Sequence, residues 1–273
     1  MGYFAKPPPG SLLKRTHPLA NGLVGAWLFN EGAGNRCNDA VGVNHGTRTN
    51  MEDADWQKGY RGSVLNFDSS EFVKVDYSPS LFLSPEMTVC FWAKCDSTNF
   101  TSNGYAVSMY DYASGNRCWA IYGRASTNEW AVNVSDNGTT ISTGLTAIPL
   151  STTWHHFAFR FNNSAATCQV YYDGEYNTNL GFGGRNYVDQ QSFLTIGGLE
   201  TASFFDGKIE SVLLYDRALS FFEIHALYRN SYQMWRRPQN PWYTWNTAGG
   251  PSQSIVPGLM SQFRRRRLHP CAA

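Results

Sequence analysis

The spacing of acidic residues in this sequence does not bring two carboxyl groups together as a catalytic pair. Retaining glycoside hydrolases need two carboxyl groups about 5 Å apart, and alternate positions of one strand can supply that spacing. No Glu-x-Asp-x-Glu stretch occurs, and the densest acidic cluster, Glu52, Asp53 and Asp55, lies in a predicted loop. A glucanase-like hydrolase is therefore the least favoured of the functions that we consider.

Histidine, serine and cysteine also lack the spacing of catalytic or metal centres. His155 and His156 are adjacent on a predicted strand, so their side chains point to opposite faces and do not easily share one metal ion. No HxH, HExxH, Gly-x-Ser-x-Gly or CxxC motif occurs. Cys90 and Cys168 lie in apolar runs, which predicts buried thiols and no disulfide framework. We expect a protein that is not an enzyme.

Sugar binding is the chemistry that the aromatic residues between positions 104 and 130 indicate. Exposed aromatic rings can stack on sugar rings, while amide and guanidinium groups hydrogen-bond to hydroxyls. The tract YDYASGNR (110–117) combines these residue types. The candidate glycan-binding residues are Tyr110, Tyr112, Asn116, Arg117 and Trp119. Aromatic residues of a β-rich chain also build cores, and the sequence leaves that alternative open.

Positive charge is concentrated at the two ends of the chain. Residues 1–20 and 229–273 hold ten of the 22 basic residues and no acid, which leaves 12 basic residues against all 21 acidic ones in between. Basic segments bind acidic surfaces or nucleic acid. No base-reading motif accompanies the four consecutive arginines, and the acidic body would repel a duplex, so we expect contact with an acidic protein neighbour. The predicted anchoring residues are Trp235, Trp242, Trp245, Arg264, Arg265, Arg266 and Arg267.

The elements that must position these residues are short strands. Residues 22–200 show roughly a dozen alternating or apolar runs separated by Gly, Asn, Ser and Asp turns, which is typical of an antiparallel two-sheet sandwich. The stretch EMTVCFWAKC is apolar throughout, as expected where both faces of a strand are covered. The predicted organisation is an extended arm (1–20), a β domain (21–228) and a basic, aromatic arm (229–273).

One short helix is predicted near the end of the β domain. Ser220 and Glu223 have the spacing of a capping box, and Ile224 and Leu227 contribute to an apolar face. Such a short helix must dock on the sheet to be stable, and we expect it to close one end of the sandwich. Before it, GKIESVLLY alternates as a strand, with Ile209, Ser211, Leu213 and Tyr215 predicted on one face.

Several stretches in the same order resemble the laminin-G-like, concanavalin A-like jelly-roll domains of bacteria and phages. They include GLVGAWLFNEGAGN, NDAVGVNHGT, SVLNFDSSEFVKVDY, TTWHHFAFRFN with CQVYYDGE, and FFDGKIESVLLYDRALSFFEIHALY. The resemblance spans residues 22–228 and implies a jelly-roll sandwich that binds more often than it catalyses. Both arms lie outside it.

The resemblance also implies one structural Ca²⁺. Ligands in relatives correspond here to Glu31, Asp39 (or Asn38) and Glu210, with loop carbonyls near Asn44. Calcium takes six to eight oxygen ligands, and carboxylates with carbonyls supply them. Position 210 departs from the relatives, which usually carry Asp there.

The primary hypothesis is a non-enzymatic virion surface protein that decorates a capsid or tail. Its jelly roll would face outward and could adhere to glycans, and its arms would bind neighbouring subunits, giving an oligomeric or assembly-bound protein. The first 22 residues lack the apolar core of a signal peptide and no run is long enough to span a membrane, so we expect synthesis in a host cytoplasm. The alternatives are a free, extracellular lectin module of cellular origin and the hydrolase considered above.

Overall fold

A computed structural model describes residues 5–59, 61–68, 70–82, 85–200 and 203–236. Two antiparallel sheets form a sandwich of the jelly-roll type, as the sequence predicts. The strands, in chain order, are β1 (Leu12–Leu13), β2 (Leu23–Trp27), β3 (Arg36–Cys37), β4 (Gly46–Thr49), β5 (Trp56–Lys58), β6 (Ser63–Phe67), β7 (Phe72–Val75), β8 (Glu86–Cys95), β9 (Gly104–Asp111), β10 (Asn116–Arg124), β11 (Glu129–Gly138), β12 (Ser142–Pro149), β13 (His155–Asn162), β14 (Thr167–Tyr172), β15 (Glu175–Gly181), β16 (Leu194–Ile196), β17 (Gly207–Tyr215) and β18 (Trp235–Arg236).

The strand order fixes which segments are neighbours. The first sheet runs β12-β11-β10-β9-β16-β7-β4-β3, and the second runs β15-β14-β13-β8-β17-β6-β5. β2 joins the second sheet by pairing with β17. One edge of β17 is therefore shared by β6 near its start and by β2 near its end.

The inner core fills the space between the sheets. On the second sheet, Phe91 of β8 stacks on Phe157 and Phe159 of β13, with ring centroids 5.2 and 5.9 Å away. Trp130 of the first sheet reaches across to Phe157, centroid to centroid 4.5 Å. Offset and tilted aromatic pairs at these distances add to the free energy of burial. The alternation of buried residues along each strand thus holds the two sheets together.

A second group of buried residues, here called the outer cluster, covers the opposite face of the second sheet. Its members are Leu19, Leu23, Ala26, Leu28, Cys90, Ala158, Tyr171, Leu213, Tyr215, Leu219, Ile224, Leu227, Tyr232, Met234 and Trp235. Cys90 lies between Val89 and Phe91, which both belong to the inner core. β8 is thus covered on both faces, as its continuous apolar sequence predicts.

The helix α1 (Phe221–Arg229) docks on the sheet as predicted, but not at an end of the sandwich. Ile224 and Leu227 pack in the outer cluster with Ala158 and Leu213, which face away from the inner core. The expectation of an end plug is therefore wrong, because the apolar residues that α1 needs lie on the outer face. The capping box is confirmed: Ser220 accepts from the Glu223 amide, and Glu223 accepts from the Ser220 amide.

The predicted face of β17 is also corrected. Ile209 lies in the inner core, whereas Leu213 and Tyr215 lie in the outer cluster. A β-bulge between Ile209 and Ser211 shifts the register of β17 against β8 and reverses the alternation at Glu210.

Both terminal segments pack on the body as far as they are described. β1 pairs with β18, with Leu12 opposite Arg236 and Leu13 opposite Trp235. Leu19 and Trp235 are buried in the outer cluster. The predicted boundaries at 20/21 and 228/229 therefore fall inside packed structure. Trp242, Trp245 and Arg264 to Arg267 lie outside the described residues.

The five described cysteines are all buried as free thiols, which matches the sequence expectation; they are Cys37, Cys90, Cys95, Cys118 and Cys168. None of the helices in the described ranges has the length and apolar character needed to cross a membrane.

Candidate functional site

The tract 110–117 forms the turn between β9 and β10 and exposes one aromatic ring. Tyr112 is 60 % exposed, and the Arg117 guanidinium lies 4.3 Å from the centre of its ring. Arg117 is itself held by the carbonyl of Thr139, to which it donates at 2.6 Å. Because a cation over an aromatic face restrains the ring, Tyr112 is presented in a fixed orientation. Asn116, half-buried, pairs with Asp111 beside it.

Two of the predicted glycan-binding residues are not available to a sugar. Trp119 is 1 % exposed and belongs to the inner core, where it packs on Phe161. Tyr110 is also buried, beneath Arg117. Trp119 as a sugar platform is therefore wrong: its position on β10 points it between the sheets, since alternate residues of a strand face opposite sides. The exposed residue of the set is Tyr112.

A buried tyrosine layer supports this turn from below. Tyr105 stacks on Tyr122 with ring centroids 4.9 Å apart and contacts Tyr110 at 5.6 Å. The Tyr122 hydroxyl donates to Asn133 at 3.2 Å. Burial raises the pKa of Tyr110, which leaves its hydroxyl neutral next to Arg117. The layer gives the exposed turn a rigid base.

The predicted calcium ligand Glu210 is buried in a network of protein partners. It is 1 % exposed, and its Oε1 accepts from Arg61 at 3.0 Å and from the Tyr232 hydroxyl at 2.7 Å. Arg61 also lies over the Trp92 ring, 3.7 Å from its centre. A buried carboxylate is stabilised by a paired cation and hydrogen bonds. These partners place Glu210 in a structural role that ties the second sheet to residues 231–236.

Asp39 and Glu31 likewise have partners within the chain. Asp39 Oδ1 accepts from the amides of Ala26 and Val41, both at 3.0 Å, and Oδ2 accepts from the Asn44 amide at 3.3 Å. Glu31 Oε1 accepts from the Asn38 amide at 2.7 Å. Three backbone amides on Asp39 fix the 39–45 loop.

These residues do not fit the calcium site that the resemblance implies. The oxygens of Asp39 are taken by backbone amides, and Glu210 is paired with a guanidinium. Among the described residues there is no group of three or more His, Cys, Asp or Glu side chains that could hold a metal ion. We therefore derive no role for calcium from the structure.

Sequence reasoning missed Lys6, which enters the Glu210 network from the terminal arm. Its ammonium donates to the carbonyl of Glu210 at 2.6 Å, to that of Phe29 at 3.4 Å and to that of Ser63. Burial lowers the pKa of Lys6 to about 7, while the Glu210 and Glu31 carboxylates act in the opposite direction. Only a lysine in a Pro-rich segment is visible in the sequence, and nothing local signals that it is buried.

A second group that sequence reasoning missed surrounds His155. Its Nδ1 lies 2.7 Å from Asp173 Oδ2, and its Nε2 lies 2.7 Å from Thr153 Oγ1 and 3.1 Å from Ser151 Oγ. This order of groups is that of a hydrolytic triad. However, Ser151 also accepts from the Thr153 amide, and Asp173 accepts from the His156 amide at 2.9 Å. The group joins the start of β13 to the turn after β14.

Known structures share this architecture at low sequence identity. Domain 4 of AbnA, an extracellular arabinanase from Geobacillus stearothermophilus, in complex with arabinotriose, has 17% identity and a TM-score of 0.56, covering 75% of this chain and 97% of its own. The binding domain of Paraclostridial Mosquitocidal Protein 1 has 18% identity and a TM-score of 0.59, covering 78% and 53%. The botulinum neurotoxin serotype D ligand binding domain, in complex with N-acetylneuraminic acid, has 13% identity and a TM-score of 0.57, covering 76% and 50%.

The chain spans about half the length of these toxin domains, and at such identities the likeness concerns the fold alone. No curated protein matches the sequence. The sequence profile of the concanavalin A-like lectin/glucanases superfamily matches residues 67–225, from the end of β6 into α1. This match covers more than half of the chain, and the protein belongs to the concanavalin A-like lectin/glucanases superfamily.

Proposed function

We propose that the protein is a non-enzymatic carbohydrate-binding domain in which Tyr112 is the platform for a sugar ring. The observation that carries this proposal is the exposed Tyr112 ring held by Arg117 at 4.3 Å. Ordered aromatic rings bind sugars at a low cost in conformational entropy, because they are already restrained before the ligand arrives. Asn116 beside the turn supplies amide groups that can hydrogen-bond to sugar hydroxyls.

The shared fold supports the proposal at the level of ligand class. Two structures with this fold carry a saccharide, arabinotriose in one and N-acetylneuraminic acid in the other. A Trypanosoma rangeli sialidase has the same fold in part of its chain, with a TM-score of 0.57, so enzymes also contain it. Around His155, Ser151 and Asp173 accept from backbone amides, and these contacts join the start of β13 to the turn after β14.

A glycan array with the full chain tests this function. We expect binding to one group of glycans, and a Tyr112→Ala variant should bind about two- to tenfold more weakly, because a stacked ring contributes about 0.5–1.5 kcal/mol. The matched control is Tyr176→Ala, which removes another exposed tyrosine far along the chain on β15. Equal binding by wild type and Tyr112→Ala, or release of reducing sugar from a bound glycan, would contradict the proposal.

We infer a second role, display on the surface of a particle such as a virion, from the placement of the two described ends. β1 and β18 lie side by side, and Leu12 is 70 % exposed beside them. The sequence that continues beyond Arg236 holds Trp242, Trp245 and the run Arg264 to Arg267. In this role these basic, aromatic residues bind neighbouring subunits after synthesis in a host cytoplasm, and the sandwich faces outward.

Incorporation into purified particles tests the second role. A chain lacking residues 237–273 should be absent from particles, whereas Tyr112→Ala should be incorporated as well as wild type. A variant with alanine at all four positions from Arg264 to Arg267 keeps the chain length and removes the charges. It separates the effect of charge from that of length. Incorporation of the truncated chain at the wild-type level would contradict this second role. It would not bear on the proposal of sugar binding.

A further inference from the structure

Three backbone carbonyls converge on the Lys6 ammonium and form what we call the carbonyl cage. They belong to Phe29, Ser63 and Glu210. Lys6 is only 7 % exposed, and its own amide donates to the Arg61 carbonyl at 2.8 Å. The side chain therefore reaches the cage from a backbone that is fixed at its base.

The bulge in β17 makes the Glu210 carbonyl available to the cage. β6 pairs with β17 up to Ile209, and β2 pairs with it from Val212 onward. The bulge at Glu210 lies in the gap between them, so no strand neighbour on that edge takes its carbonyl. Phe29 follows the end of β2 with a φ of 48°, in the left-handed region that a bulky residue rarely adopts.

Negative charge surrounds the cage on two sides. The carboxylates of Glu210 and Glu31 both act on the Lys6 ammonium, and Arg61 opposes them. Arg61 is already paired with Glu210 Oε1 at 3.0 Å. Glu31 Oε2 is buried and has no hydrogen-bond partner, which is costly for a carboxylate unless a cation is near. The two carboxylates and the one guanidinium together carry a net negative charge, which one further positive charge balances.

Carbonyl oxygens with flanking carboxylates are what a hard metal cation takes as ligands. An ammonium has the same charge sign and points up to three donors at the same oxygens. We propose that the carbonyl cage is a cation site whose resident cation is the Lys6 ammonium of the chain itself. The terminal segment is thereby fixed to the body by a tethered cation, and a free cation has no access while Lys6 is in place.

Two substitutions of Lys6 distinguish a cation site from ordinary burial. Lys6→Ala removes the ammonium and opens the space, whereas Lys6→Met removes the charge and keeps the stem in place. Thermal unfolding of the full chain is followed in EDTA, in millimolar CaCl₂ and in KCl at about pH 6, where Lys6 is charged. The matched control is Lys14→Ala, since Lys14 is an exposed lysine of the same segment.

Both Lys6 variants should unfold about 5 °C or more below wild type in EDTA, because the cage carbonyls and the Glu31 carboxylate lose their cation. Calcium should restore at least half of that loss in Lys6→Ala and little in Lys6→Met, while wild type and Lys14→Ala should respond to no salt. A wild-type midpoint that rises with calcium, or a Lys6→Ala midpoint that responds to no cation, would overturn the proposal.

The wild-type chain offers a second measurement if the variants do not fold. Nitrogen-15 NMR of the lysine side chains should show one ammonium whose protons exchange slowly with water and couple to backbone carbonyls, at about pH 6. Fast exchange for every lysine ammonium would also overturn the proposal.

Discussion

His156 is the residue whose burial has the clearest consequence for stability. Its ring lies in the outer layer of the second sheet, 5.3 Å from Trp92 and 6.1 Å from Tyr228, centroid to centroid. Burial lowers the pKa of His156 to about 3, and the neighbouring Asp173 opposes that only in part. The folded protein therefore keeps this imidazole neutral at pH values where the unfolded chain protonates it.

We expect stability to fall on acidification through this residue. Below the ordinary histidine pKa of about 6.5, this imidazole is protonated in the unfolded state and neutral in the folded state. The free energy of unfolding therefore decreases as the pH drops from about 7 towards 3. Between pH 7 and 5 the loss from His156 amounts to about 2 kcal/mol. Urea unfolding at both pH values measures it: His156→Phe should lose about 2 kcal/mol less than wild type. Equal pH dependence of wild type and His156→Phe would contradict this.

Single residues also show where sequence reasoning reached its limit. Glu210 stands out in the sequence as an acid within a packed strand, and the resemblance names it and Asp39 as calcium ligands. Their partners, Arg61, Tyr232 and three backbone amides, come from distant parts of the chain and no local pattern reveals them. Tyr112 and Trp119 differ in exposure because one lies in the turn and the other on β10, and the sequence alone does not fix where the strand begins.

At the scale of elements, α1 is the best-predicted feature. The capping box reads directly from Ser220 and Glu223, because helix caps are local interactions. Arg217 adds to the cap through two hydrogen bonds to Glu223, at 3.0 and 2.6 Å, and this lowers the pKa of Glu223 to about 2. The face on which α1 docks was not predictable. It depends on which face of the second sheet still has apolar residues to be covered.

Removing the cap should weaken the whole domain because α1 covers the outer cluster. Ser220→Ala is expected to lower the free energy of unfolding by about 1 kcal/mol, since the Glu223 amide at the start of the helix loses its acceptor. Denaturant unfolding measures this, with Ser102→Ala in an exposed loop as the matched control. A Ser220→Ala variant as stable as wild type would show that Glu223 and Arg217 alone secure the helix start.

The bulge in β17 shows why period-two patterns fail locally. The alternation through Ile209, Ser211, Leu213 and Tyr215 is regular in the sequence, yet one extra residue moves Ile209 to the opposite face. No residue type in β17 indicates the bulge. Glu210 is compatible with a regular strand or with a bulge, and the sequence does not show the ion pair that it makes.

For the molecule as a whole, the sequence predicts the architecture, whereas the segments that it treats as arms pack on the body as far as they are described. The two-sheet sandwich follows from turn spacing and apolar runs, which extend over about 200 residues. The superfamily follows from the resemblance of several stretches in the same order, and the strand order comes from the structure alone. The terminal segments look like free arms because they are basic and rich in proline. Lys6, Leu19 and Trp235 are nevertheless buried against the body. Their partners are set by tertiary contacts, which a local reading does not reveal.

The Lys6 contact also sets an order in time. Its carbonyl acceptor on Glu210 is 204 residues further along the chain, so a ribosome must finish nearly the entire domain before the first segment can be secured. Lys6 is synthesised well before Glu210 and is thus among the last residues of the domain to reach its final place. Until then, the gap beside the bulge in β17 is open, and the backbone carbonyl of Glu210 lacks the Lys6 ammonium. Closure of this gap by Lys6 therefore follows the synthesis of β17.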